Sequence, residues 1–74
     1  MNLNEFVDCF SSELDETPKE LFNPKTVYKD LDEWDSLAVL SIISMIDEEF
    51  EKTVTGADLR EHTTISELYN FIQK

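Results

Sequence analysis

The chain has 74 residues, enough for one small domain over residues 1–74 but too few to enclose both a deep catalytic pocket and a full hydrophobic core. Seventeen acidic against six basic side chains give a formal net charge of −11, which repels nucleic acid and anionic membrane surfaces and points to basic proteins as partners. Apolar residues recur at regular intervals, so the chain is expected to fold despite its acidity.

The start, MNLNEFVD, lacks the basic-then-apolar layout of a secretory signal, and no apolar run is long enough to span a bilayer. A cytoplasmic protein without membrane insertion is the expectation. Leu3, Phe6, Val7, Phe10 and Leu14 follow helical spacing, with Asn2 as N-cap and Glu5 as its reciprocal partner. Cys9 flanks that stripe and reads as a small, partly buried thiol without a disulfide partner. From Asp15 to Asp35 the periodicity breaks at Pro18 and Pro24, and Phe22, Val27, Leu31 and Trp34 read as scattered anchors of a long loop.

A second and most clearly marked helix is predicted from Ser36 to about Glu51, with Val39, Ile42, Ile43, Ile46 and Phe50 as its core face. Thr55 with Asp58, and Thr64 with Glu67, carry the capping signature that opens a short third helix to about Glu61 and a fourth bearing Ile65, Leu68, Tyr69 and Ile72. Strand alternation and internal repeats are absent. The predicted fold is all-α: a small four-helix bundle with one short helix and a long loop between helices one and two.

Between Lys29 and Lys52 the chain holds no basic residue, while Asp30, Asp32, Glu33, Asp35, Asp47, Glu48, Glu49 and Glu51 all fall there. A charge run is usually a solvated face. Here Asp47, Glu48, Glu49 and Glu51 crowd the C-terminal half of the second helix, where the macrodipole disfavours each negative charge by about 0.3–1 kcal/mol. Leu37 projects toward Ser44 and Glu48, away from the core stripe. An apolar contact beside Ser36 and an acidic rim describe a docking surface, for which Leu37, Leu40, Asp47, Glu48 and Glu51 are the candidates.

Asp35-Ser36-Leu37, at the head of the long amphipathic helix, resembles the phosphopantetheine attachment motif of the acyl and peptidyl carrier proteins. The resemblance runs over nearly the whole chain, through Leu31-Asp32-Glu33-Trp34, Ile46-Asp47-Glu48-Glu49-Phe50 and the Thr-capped last helix ending Tyr69-Asn70-Phe71-Ile72. It implies a bundle of the acyl-carrier type, stand-alone and monomeric. Ser36 would bear a covalent 4′-phosphopantetheine arm taken from coenzyme A, with Asp35 and Leu37 flanking it. A magnesium-using phosphopantetheinyl transferase would install the arm, and its thiol would hold acyl or amino-acyl groups as thioesters. Further partners would be an acyl-loading ligase or transferase and downstream enzymes with basic docking patches, the carrier itself being non-catalytic. In some members of the family helices two and three part to shelter an acyl chain.

From Asp-Ser alone, an ordinary N-cap role for Ser36 is the simpler reading. A helix N-terminus, however, also suits a phosphodiester. Positions two, five and eight after Ser36 are Ala38, Ser41 and Ser44, where fatty-acid-synthesis carriers often have acidic, acidic and apolar residues. Trp34 likewise resembles stand-alone carriers of specialised pathways, so a specialised carrier is favoured over a type II fatty-acid-synthesis carrier.

Three other readings compete. An acidic interaction or inhibitor module without a prosthetic group is compatible with the composition, but leaves the register of Ser36, Leu37 and the acidic segment unexplained. A calcium loop beginning at Asp30 would need Gly and Glu where Asp35 and Ser41 stand, so no metal ligands are assigned. For an enzyme, the single His62 and single Cys9 suggest no assembled nucleophile, base and orienter. His62 is instead expected at the end of helix three, as a surface residue or local cap.

Overall fold

A computed structural model describes residues 2–73. Four helices follow in chain order: α1 (Leu3–Ser12), α2 (Ser36–Phe50), α3 (Gly56–Glu61) and α4 (Ile65–Ile72). The long connection from α1 to α2 holds two single 3-10 turns, Lys19–Leu21 and Tyr28–Asp30. Among the described residues there is no strand, only an isolated antiparallel bridge between Val27 and Thr64. The all-helical bundle is as the periodicity predicts.

The helix starts are built as their sequences indicate. Asn2 Oδ1 accepts the Glu5 N–H at 2.9 Å, although the return bond that would complete a capping box at α1 is not made. Thr55 with Asp58 and Thr64 with Glu67 form full boxes, each satisfying two otherwise free backbone donors. Helix α1 stops two residues short of Leu14. Ser11 and Ser12 both turn their hydroxyls back to Asp8 O, at 2.9 and 3.0 Å, and such local bonds compete with helix continuation. Leu14 still reaches the core from the turn beyond.

The core draws on every helix: Phe6, Phe10 and Leu14 from α1 and its exit, Ile42 and Ile46 from α2, Leu59 from α3, and Ile65 and Leu68 from α4 are all fully buried. Two expectations for α2 need correction. Val39, Ile43 and Phe50 are only half-buried, while Ala38 and Met45 lie inside with Ile42 and Ile46. The most deeply buried line of α2 is thus turned toward Ala38 and Met45, while Val39, Ile43 and Phe50 pack at the edge of the core, Phe50 against Phe6 of α1 with 5.2 Å between ring centroids.

The loop is tied down by aromatic rings. Trp34 lies nearly parallel to Phe10, 9° between planes and 6.1 Å between centroids, and Tyr28 packs on both rings at 4.9 and 5.6 Å. Phe22 joins Phe10 at 6.3 Å. Pairs at these separations contribute about 0.5–1.5 kcal/mol beyond area burial. Further along, Ile65 N–H donates to Thr26 O at 3.1 Å and Ser66 N–H to Pro24 O at 2.9 Å, fastening the loop to the start of α4. The polypeptide leading into Ser36 is therefore held from both sides.

Candidate functional site

Asp35 has extended backbone, and its Oδ1 accepts the Ala38 N–H at 2.9 Å while its carbonyl accepts the Val39 N–H at 3.0 Å. Asp35 is therefore the N-cap of α2, and Ser36 is its first helical residue. The simpler reading of Ser36 as the cap is overturned by this arrangement. With the capping duty taken by its neighbour, the Ser36 hydroxyl is exposed and has no protein hydrogen-bond partner among the described residues. The N–H groups of Ser36 and Leu37 belong to the first turn, which has no intrahelical acceptors to offer them.

That geometry fits a phosphodiester on Ser36. The oxygen that would bear it faces solvent, at the positive end of a 15-residue helix, beside two amides able to donate. Leu37 is 73 % and Leu40 60 % exposed, so two large apolar side chains stand free next to the hydroxyl.

Leu37 and Leu40 line an open groove of about 530 Å³, with Ser41, Ser44 and Met45 along it and Glu48 and Glu49 at its far end. Glu13, just past α1, also lines the groove. Of the candidate docking residues, the groove brings Leu37, Leu40 and Glu48 together. Asp47 and Glu51 are exposed but lie outside its lining. On a helical wheel Leu37, Leu40, Asp47 and Glu48 nevertheless fall within an arc of about 100°, so these four share one face of α2, with Glu51 just past the helix end in left-handed backbone. Sequence reasoning missed Glu13, Glu49 and Met45 as groove residues. Glu13 comes from another element, and only the packing of α1 beside α2 carries it there.

A smaller hollow beside the start of α2 gathers Glu13, Glu16, Glu33 and Asp35 around Leu37, Ala38 and Ser41. Glu33 is oriented by the Thr17 hydroxyl, which donates to its Oε1 at 2.7 Å. Carboxylates thus flank both ends of the groove, and the surface beside Ser36 complements a cationic partner. Ala38 contributes little to that surface: it reaches the wall of the hollow but is only 5 % exposed and belongs mainly to the core. Ser41 and Ser44 do line the groove.

The remaining chemistry-bearing residues lie elsewhere. Cys9 is half-buried on α1; burial, and then the charges of Glu49, Asp8, Glu5 and Glu13, push its thiol pKa upward. His62 follows α3 as its C-cap residue, its Nδ1 2.8 Å from Asp58 O and its ring against Phe71 at 4.7 Å, which makes it the local cap expected. Among the described residues no cluster could hold a metal ion, and no helix is long and apolar enough to cross a membrane.

A family model described as "Phosphopantetheine attachment site" matches residues 4–72, nearly the whole chain. No significant match exists among curated proteins or solved structures.

Proposed function

Since the chain belongs to the phosphopantetheine attachment family, whose members carry 4′-phosphopantetheine covalently, we propose that Ser36 bears the arm and that the protein is an acyl carrier of a specialised biosynthetic pathway. It acts as a monomeric carrier unit in the cytoplasm. The observation that carries this reading is the free, exposed Ser36 hydroxyl at the head of α2, with Asp35 taking the capping role.

When bound, the arm supplies a thiol that holds an acyl or amino-acyl group as a thioester. The chain's own residues do the presenting. Asp35 fixes the first turn and so the direction in which Ser36 points. Leu37 and Leu40 offer apolar contacts to a docking enzyme, and Asp47, Glu48 and Glu51 guide its basic patch along α2. Family membership implies phosphopantetheinyl transferase and acyl-handling enzymes as partners, and carriers of this kind are generally non-catalytic. An acyl-loading ligase or transferase is the partner class that would charge the arm.

Ser41 and Ser44 in the groove favour a specialised pathway, because they replace the acidic and apolar side chains common at these positions in fatty-acid-synthesis carriers. Trp34 supports that choice less than its sequence position suggests, since its ring is engaged with Phe10 and Tyr28.

Incubating the protein with coenzyme A, magnesium and a broad-specificity phosphopantetheinyl transferase tests the assignment by intact mass. Wild type gains one phosphopantetheine and Ser36→Ala gains none. A wild type that stays unmodified under several transferases would leave the acidic interaction module as the better reading.

A further inference from the structure

One turn along α2 from Ser36 stands Val39, half-buried against α3: a Cβ on Gly56, the first residue of α3, would lie 4.0 Å from Val39 Cγ1. The seam between α2 and α3 is thus a short way from Ser36 toward the buried Ile42, Ile46 and Leu59. An apolar chain tethered at Ser36 would gain by entering it, since burial of each methylene is favourable. Entry requires α3 to move aside.

Helix α3 has six residues, too few to persist without tertiary support. Its C-terminal carbonyls are held from the α1–α2 loop. Tyr28 shares its hydroxyl proton between Leu59 O and His62 O, the latter at 3.0 Å, and Lys29 Nζ donates to Arg60 O at 2.8 Å. Tyr28 is completely buried, its ring wedged against Phe10 and Trp34, so the hydroxyl cannot follow a departing α3. Displacing α3 would strand a buried donor, the costliest way to lose a hydrogen bond. Burial also pushes the Tyr28 pKa up to about 12, so the donor keeps its proton at neutral pH.

We infer that Tyr28 and Lys29 latch α3 to the α1–α2 loop and so keep its seam with α2 closed, so that cargo on Ser36 rides outside the core, and that this carrier takes short or polar acyl groups, such as amino-acyl or hydroxyacyl, rather than long alkyl chains. The cargo half rests on Ser36 being the attachment residue; the latch half does not.

Two measurements test it. In the unmodified protein, Tyr28→Phe keeps the ring but removes the donor, and it speeds amide hydrogen exchange at Leu59 and Arg60 about tenfold while leaving α1 and α4 unchanged. Lys29→Ala, which removes no buried group, gives a smaller increase confined to α3 and serves if Tyr28→Phe folds poorly. Unaltered α3 exchange in both variants overturns the latch. The second measurement loads acetyl- or octanoyl-phosphopantetheine from the corresponding coenzyme A thioesters with a broad-specificity transferase. Methyl resonances of Ile42, Ile46 and Leu59 then coincide in the two wild-type forms, whereas the octanoyl group shifts them in Tyr28→Phe. Octanoyl-dependent core shifts as large in wild type as in the variant overturn the cargo assignment. Failure to load either group at all counts against Ser36 as attachment site, and the exchange result still decides the latch.

Discussion

Asp35 and Ser36 each bring a side-chain acceptor that could cap α2, and the extended backbone at Asp35 decides between them. Removing the cap and removing the proposed attachment point should therefore have separable effects. Asp35→Ala is expected to lower unfolding free energy by about 1 kcal/mol, with Asp35→Asn nearly neutral, as read by denaturant titration. Ser36→Ala should leave that midpoint almost unchanged while abolishing attachment. Leu37→Ala belongs with the latter: so exposed a side chain adds little to stability, but burying it under a partner is worth about 1.5–3 kcal/mol, so transferase affinity should fall at least tenfold with an unaltered melting temperature. Cys9 has a raised thiol pKa, caused first by burial, so alkylation at neutral pH should label an arm thiol well before Cys9. At this scale the sequence marked Ser36 through its register, but could not say which of two adjacent oxygens caps the helix. That depends on the backbone angle at Asp35, set by the anchored loop behind it.

The helices differ in how much of their ends could be read. The Thr55 and Thr64 boxes were legible because capping is local, requiring an acceptor and a carboxylate three residues apart. The core face of α2 was misjudged because its apolar residues wrap widely around the helix, and neighbouring elements choose which of them to bury. Ala38 and Met45 are buried more deeply than Val39 and Phe50, although Phe50 still packs on Phe6 of α1. At the other end of α2, Glu51 adopts φ 56 without being glycine, and no basic residue stands in the last turn. Glu51→Gly should raise stability by about 1 kcal/mol, by relieving the left-handed strain and removing a charge the helix end disfavours, yet slow partner docking. Stability without docking loss would remove Glu51 from the partner surface. At α4, the backbone N–H bonds from Thr63 and Thr64 hold the Glu67 carboxyl below its ordinary pKa. Its contribution is present above the usual carboxylate range and is lost as pH falls through the lowered value. Thr63 and Thr64 amide protection should fade in that acid window, and Glu67→Gln should flatten the dependence.

For the whole molecule, the two large facts are the charge and the buried Tyr28. At a net charge of −11 the folded chain repels itself, so added salt should raise the melting temperature while weakening binding to a basic partner. Opposite responses of stability and affinity to the same salt series would mark the acidic face as a docking surface rather than a structural one. Tyr28 was not singled out in the sequence, where it sits outside any periodic stripe; its importance arises from contacts more than thirty residues away, at Leu59 and His62. Its raised pKa, from burial first and the Glu67 charge second, means that stability is fully present below the ordinary tyrosine value of 10.0 and is lost as pH rises through about 12. Circular dichroism should show that alkaline loss in wild type and a smaller one in Tyr28→Phe. The general architecture was legible because four amphipathic segments in a short chain leave few ways to bury their stripes, whereas the path of the loop depended on rings meeting across the core.

The attachment itself can be read most directly from protein isolated from its native host. Tryptic cleavage after Lys29 and Lys52 gives one peptide containing Ser36, Ser41 and Ser44, and fragmentation locates any added group among the three. The expected result is a phosphopantetheine, free or carrying its acyl group, on Ser36 alone. A peptide recovered wholly unmodified, or modified at Ser41 or Ser44 instead, would contradict the account.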